Sequence, residues 1–331
     1  MSRDYKKLEN TAMSINCGNM KSNISIKQAE KNSACFILIT FLLILFLLIF
    51  APMFVSSQET IWNDVQVHNN ISYFEDSSKK EIESLQTNAH LLDIYQPEDC
   101  QSCPVIVYIH GGTWVLGDKG GPSYKAKAFT DNNNIYISMN YRLSPDYVFP
   151  AHAYDVARCF AWVKRNIYKY GGDPEKIFLL GHSAGGHLAA LIALDKTYLA
   201  EFNLLPSDIS GVIGLDSAAY HLPSLFTAEP ENQYLFSWAF GDNLQDWEDA
   251  SPVNYVIEGI TPPPILLLVA GDRGVSETVN QNFYKLLQYY GYDANIFYFS
   301  DEDHVSIDYG LGKDDDPVFP ILLNWINGLL K

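Results

Sequence analysis

Between Asn32 and Gln58 the chain carries no charged residue, and Phe36 to Val55 (FILITFLLILFLLIFAPMFV) is apolar almost throughout. A run of that length, at about 1.5 Å per residue, spans the ~30 Å hydrocarbon core of a bilayer. A surface helix of a soluble domain would show a polar stripe, and this run has none. Lys21, Lys27 and Lys31 precede it, while Glu59 and Asp64 follow. The positive-inside rule therefore predicts a type II signal-anchor. Residues 1–35 are then a cytosolic tail, residues 36–55 the single membrane span, and the C-terminal bulk is lumenal or extracellular, in the endoplasmic reticulum or at the cell surface. Cleavage near Val55-Ser56-Ser57-Gln58 is the competing reading. The apolar run is long for a signal peptide, and so is the polar leader before it.

Past the span the pattern changes. Residues 56–87 are mixed and polar and read as a stalk followed by an initial strand. From 88 onward, short β-rich runs alternate with helical periodicity. His90–Tyr95, Pro104–Ile109, Asn134–Met139, Lys176–Leu180, Gly211–Leu215, Ile265–Ala270 and Asn295–Phe299 read as strands, several of them apolar on both faces. Tyr154–Tyr170 carries Val156, Phe160, Val163 and Ile167 at helical spacing, and Gly171-Gly172 close it. Ala184–Leu194, Glu277–Tyr290 and Val318–Leu330 are further helices. This alternation predicts an α/β domain over 88–331, a mostly parallel doubly wound sheet with helices on both faces. Residues 217–262 lack periodicity and read as a cap-like insertion over the sheet.

Charge narrows the partners. The 331 residues hold 22 Lys+Arg against 39 Asp+Glu, a net charge of −17. Residues 1–35 hold six cations and three acids, a balance of +3, which leaves −20 for the rest. Such a chain has no surplus of cations with which to displace the counterions of a nucleic acid, so that partner class is excluded. A hydrophobic content of 47% excludes intrinsic disorder. Cys100 and Cys103 form a C-x-x-C with no second pair or nearby His, so zinc is poorly matched, and a disulfide and two free thiols both remain open. Cys159 falls on an apolar helix face. Asn70-Ile71-Ser72 is the one glycosylation sequon beyond the span.

Three motifs carry chemistry. Gly181-His182-Ser183-Ala184-Gly185 matches G-x-S-x-G between a strand and a helix, where a tight turn presents the Ser hydroxyl and crowds its neighbours. Ser183 is the expected nucleophile. His110-Gly111-Gly112-Thr113-Trp114 follows the strand ending at Ile109, and its glycines let backbone N–H groups approach a developing oxyanion. The expected donors are the N–H groups of Gly111, Gly112 and Ala184. His304 follows the last strand, where the base of a Ser–acid–His order belongs. His182 and His187 lie too near Ser183 in sequence to be its base, and His110 belongs to the glycine loop. Trp114 reads equally as pocket wall or loop packing. No His/Cys cluster has ligand spacing and no G-x-G-x-x-G follows a strand, so no metal or cofactor is implied.

On these residues the chain resembles the α/β-hydrolase fold in its HGG-motif carboxylesterase branch. HGGTW, NYRLSP (Asn140–Pro145), FPA (Phe149–Ala151), YGGDPEKI (Tyr170–Ile177), GHSAGGH (Gly181–His187) and DHVSI (Asp303–Ile307) carry the match. It is similar to feruloyl-esterase-like, kynurenine-formamidase-like and isoprenylcysteine-methylesterase-like enzymes, and more distantly to the arylacetamide-deacetylase and hormone-sensitive-lipase group. The resemblance implies ester or amide hydrolysis, and several eukaryotic members share a type II anchor. There is one departure. After the strand before the last, the family usually reads G-x-x-D; here the acid position is Gly274. Asp216, at the end of the strand Gly211–Leu215, and Asp272, on the same loop as Gly274, are the substitutes. Asp216 is preferred, with Glu277 and Asp303 behind.

The expected reaction is acyl transfer through Ser183 on small or medium acyl esters, with a small-molecule ester and the membrane as partners. Tyr141, Phe149, Tyr220, Phe226 and Trp238 are candidates for an apolar pocket. Two other readings stand beside it: a non-catalytic binding or adhesion ectodomain, motivated by Gly274, and an amidase or peptidase of the same fold.

Overall fold

The computed structural model describes residues 64–74, 88–120, 123–258, 261–271 and 274–331. The expected tail and membrane span lie outside these residues, as do most of 56–87 and Asp272. Among the described residues no helix is long and apolar enough to cross a membrane.

Among the described residues eight strands form one sheet: β1 (Val65–Ser72), β2 (Leu91–Pro97), β3 (Cys103–Ile109), β4 (Ile135–Met139), β5 (Gly172–His182), β6 (Gly211–Leu215), β7 (Ile265–Ala270) and β8 (Ala294–Phe299). Their spatial order is β1-β2-β4-β3-β5-β6-β7-β8. β1–β2 and β2–β4 pair antiparallel, and every other pairing is parallel. The helices are α1 (Ser123–Asp131), α2 (Ala151–Asn166), α3 (Ala184–Leu194), α4 (Lys196–Ala200), α5 (Leu222–Ala228), α6 (Gln233–Phe240), α7 (Leu244–Asp249), α8 (Gly274–Tyr289), α9 (Ser306–Tyr309) and α10 (Phe319–Leu329).

Strand parity divides the core. Val105, Val107 and Ile109 of β3 pack with residues of α2, α3 and α8, whereas Ile106 and Tyr108 pack with Phe129 of α1 and Leu322 and Ile326 of α10. Successive side chains point to opposite faces, so a strand covered on both sides is apolar at every position. This is why the runs at β3, β4, β6 and β7 are unbroken. The chain leaves β3 toward β4 on one side and returns to β5 on the other. The resulting crevice outside the C-terminal strand ends is where doubly wound sheets bind ligands.

Several boundaries differ from the sequence reading. The sheet starts at Val65, upstream of the expected domain start at 88. The register of β1 shifts between His68 and Ile71, and Asn70 there has φ 57°. A bulge of that kind breaks the two-residue period by which a strand is recognised. β5 begins at Gly172 because Cys103 pairs with it across the ladder. α2 begins at Ala151 and ends at Asn166, and a 3₁₀ turn carries the chain on to Gly171, which takes the left-handed conformation. Residues 217–258 hold α5, α6 and α7, short helices without a sustained apolar stripe. Cys100 and Cys103 are joined as a disulfide, and Cys159 is a free buried thiol.

Candidate active site

β5 delivers Ser183 through a turn that leaves no room for side chains. Ser183 itself has φ 52° and ψ −117°. A Cβ on Gly185 would lie 2.0 Å from the Ile109 carbonyl oxygen, and one on Gly181 would lie 2.2 Å from the Gly185 carbonyl oxygen. Only glycine fits at either position, so the G-x-S-x-G spacing is a steric requirement of the turn. The Ser183 N–H donates to the Leu215 carbonyl (3.0 Å), tying the turn to the end of β6.

Three side chains from three strand ends meet here. The Ser183 hydroxyl lies 3.1 Å from His304 Nε2, and His304 Nδ1 lies 2.6 Å from Asp216 Oδ2. A carboxylate at Nδ1 fixes the tautomer: Nδ1–H donates to Asp216 and bare Nε2 accepts from Ser183. Asp216 follows β6, is fully buried and has φ 45°. Its second oxygen, Oδ1, accepts from the Ser276 hydroxyl (2.6 Å) and the Ala270 N–H (3.2 Å). Asp272 lies outside the described residues. Asp303 hydrogen-bonds within its own loop, to the N–H groups of Val305 and Ser306.

The loop carrying His304 is held from below. His182 Nε2 lies 2.9 Å from the His304 carbonyl oxygen, to which it donates. Burial lowers the basicity of His182, against the opposing pull of Asp308. Asp308 accepts from Tyr108 (2.8 Å) and pairs with Lys125 (3.1 Å). Although burial opposes it, the charges of His182 and Lys125 and the Tyr108 hydrogen bond keep Asp308 below the usual carboxylate range.

Above Ser183 stands the glycine loop after β3. A Cβ on Gly111 would come within 3.1 Å of Ser183 Cβ, so this backbone passes directly beside Ser183. Gly112, Thr113 and Trp114 all have positive φ, at 111°, 51° and 61°. Trp114 is both pocket wall and buried anchor: its indole N–H donates to His187 Nδ1 (3.2 Å), and His187 Nε2 lies 2.7 Å from the Ala250 carbonyl. His187 thus bridges α3, the glycine loop and the end of α7 as a neutral ring, and burial pushes its pKa down to about 4. His110 Nδ1 lies 2.8 Å from the Gly111 carbonyl and its ring stacks on Tyr141.

A cavity of about 340 Å³ opens at Ser183 and His304. Thr113, Trp114 and Ala184 line it from the sheet side, and Ala218, Ala219, Leu225, Glu229, Glu231, Asn232 and Phe236 from the region after β6. None of the five aromatics expected in the wall is among these residues. Tyr141 is buried against His110, Tyr220 is buried against Phe283 of α8, Phe226 is buried against Phe240 and Trp247, and Trp238 is exposed. Ser276, Glu229 and Glu231 carry no sequence signal; only tertiary contact brings them to the site. Among the described residues no group of three or more His, Cys, Asp or Glu side chains could hold a metal ion.

The strand order, the elbow and the cavity at the C-terminal strand ends define an α/β-hydrolase. Esterase B of Lactobacillus rhamnosis shares the fold, with a TM-score of 0.66 at 19% identity over 81% of this chain and 86% of that one. The BD-FAE family model matches residues 92–287, and the chain belongs to that family. Among curated relatives, the probable carboxylic ester hydrolase LipM of Mycobacterium tuberculosis is 42% identical over 201 residues, 54% of this chain and 44% of its own. Esterase LipQ of the same organism is 34% identical over 193 residues, 54% of this chain and 45% of its own. Isoprenylcysteine alpha-carbonyl methylesterase ICME of Arabidopsis thaliana is 26% identical over 231 residues, 65% of this chain and 54% of its own. The chain spans about half the length of these curated relatives.

Proposed function

We propose that this protein is a serine carboxylesterase acting on small or medium acyl esters. The observation that carries the reading is the continuous hydrogen-bonded line Ser183–His304–Asp216 opening on the cavity. In this mechanism His304 Nε2 takes the Ser183 proton as the hydroxyl oxygen attacks the ester carbonyl. Asp216 holds the reactive tautomer and stabilises the imidazolium. The N–H groups of Gly111, Gly112 and Ala184 receive the oxyanion, and one well-placed donor of this kind contributes about 3–4 kcal/mol. His304 then returns the proton to the leaving alcohol. Water, deprotonated by His304, releases the acyl group. The cavity volume, at the low end of the range for small-molecule pockets, supports small or medium substrates. The esterase names of the relatives support the reaction class. The Asp216 carboxylate, 2.6 Å from His304 Nδ1, weighs against the non-catalytic reading that Gly274 motivates.

The test is steady-state hydrolysis of p-nitrophenyl acetate through decanoate by the full chain in detergent, beside the matching p-nitroanilides. Ser183→Ala is expected to lose turnover by on the order of 10⁴-fold or more, and Asp216→Asn by on the order of 10³–10⁴-fold. Absence of turnover together with absence of fluorophosphonate labelling at Ser183 would overturn the proposal. Faster cleavage of anilides than of esters would move it to an amidase.

We further propose, on the sequence alone, that residues 36–55 anchor the protein in type II orientation, with the hydrolase domain lumenal or extracellular.

A further inference from the structure

The acid of this site sits on a strand end, away from the loop position where the family pattern places it, and a buried carboxylate there needs donors of its own. Asp216 is fully buried and holds a left-handed backbone, which costs a non-glycine residue energy unless its surroundings enforce it. The enforcement comes from α8. Ser276, the third residue of that helix, is fully buried and donates its hydroxyl to Asp216 Oδ1 at 2.6 Å. Asn280, one turn later and equally buried, donates Nδ2–H to the Ser217 carbonyl (2.7 Å) and to the Ser276 carbonyl (2.8 Å). One helix thus grips both the acid's carboxylate and the backbone of the residue after it. Gly274, where the acid was expected, faces open space: a Cβ there meets nothing within 4 Å.

We infer that Ser276, braced by Asn280, is a positioning residue that sets the Asp216 carboxylate for His304. The inference rests on the catalytic reading of Ser183, His304 and Asp216. Ser276 is absent from the cavity wall, so its effect on turnover passes through Asp216 and His304 alone. A hydroxyl bonded to a carboxylate both orients it and spreads its charge. Removal of the hydroxyl leaves Oδ1 with a weaker hold, and Oδ2 turns away from the His304 Nδ1–H. The substrate pocket is untouched, so the loss falls on kcat and KM stays constant.

The experiment uses the full chain in detergent with Ser276→Ala, Ser276→Thr and Gly274→Ala. Three quantities are read: kcat and KM on p-nitrophenyl acetate, the far-downfield proton resonance of the short His304–Asp216 hydrogen bond, and the melting temperature. Ser276→Ala is expected to lower kcat about 10-fold, the size of one charge-assisted hydrogen bond, with KM within about twofold of wild type. The downfield proton moves in the same variant. Ser276→Thr, which keeps the donor, restores both, and Gly274→Ala changes neither. If Ser276→Ala melts too low to assay, Ser276→Cys, nearly isosteric with a weak donor, replaces it under the same expectation. The inference is overturned if Ser276→Ala keeps kcat within about twofold and the resonance unmoved, or if Ser276→Thr is as slow as Ser276→Ala. A wild-type chain with neither turnover nor fluorophosphonate labelling would defeat the esterase reading itself, an outcome distinct from both.

Discussion

His187 shows how a single residue can be committed to structure beside the strained turn that carries Ser183. It lies four residues after Ser183, yet its ring faces away from the cavity, accepting from Trp114 and donating to Ala250. A ring bonded on both nitrogens in a neutral state resists protonation, and burial holds its pKa at about 4. His152 is likewise pushed down to about 4 by burial, against the attraction of Asp155. Both groups bind a proton near pH 6.5 in the unfolded chain and only near pH 4 in the fold. Their contribution to stability is complete above about pH 6.5, is lost as the pH falls toward 4, and is flat below that. Each ring contributes on the order of 3 kcal/mol across the window. Urea midpoints measured from pH 7 to pH 4 are expected to fall steeply, with a shallower slope in His187→Gln. A flat profile over that interval would contradict the assignment of neutral buried rings.

At the scale of elements, the cap-like segment is what gives the pocket its chemical character. The turn between α5 and α6 brings Glu229 and Glu231 into the wall that faces Ser183, and among the described residues no Lys or Arg side chain lines the cavity. Asn232 donates to Glu229 at 3.0 Å and keeps that carboxylate in place. Two carboxylates near a reacting ester repel an anionic substrate and attract a cationic one, more strongly at low ionic strength. Among esters of matched size, a choline ester is therefore expected to show a higher kcat/KM than its uncharged 3,3-dimethylbutyl analogue, and a hemisuccinate a lower one. The preference should shrink in salt and in the Glu229→Gln, Glu231→Gln double variant. Equal kcat/KM for the three charge types at low salt would remove the electrostatic argument.

The whole chain is electrically lopsided, with +3 in residues 1–35 and −20 beyond them. Cations on one side of an apolar run and a strongly acidic mass on the other favour the orientation that keeps the basic tail in the cytosol. If residues 36–55 anchor the protein, the full chain will remain in the membrane pellet after alkaline carbonate extraction. Its hydrolase domain will also resist protease added outside sealed microsomes until detergent is present. Release by carbonate would refute the anchor, and digestion in intact vesicles would refute the orientation.

Whatever depends on neighbours along the chain was legible in the sequence. The strands at Gly211–Leu215 and Ile265–Ala270 and the helix Ala184–Leu194 lie where apolar runs and periodicity place them, because each is apolar wherever it is covered. The position of Ser183 was legible because the steric demands of its turn are met by glycines two residues away on either side. β1 was legible only as a strand somewhere in 56–87, since its bulge interrupts the alternation. The sequence narrowed the acid to Asp216 or Asp272, with Asp216 preferred, and the fold sets the Asp216 carboxylate against His304, 88 residues away in sequence. Ser276 and the pocket glutamates were invisible, because a hydroxyl or carboxylate on a polar loop or helix looks the same whether it meets solvent or a buried partner. Local pattern encodes the backbone path; the pairing of distant polar groups is set only when the sheet brings its strand ends together.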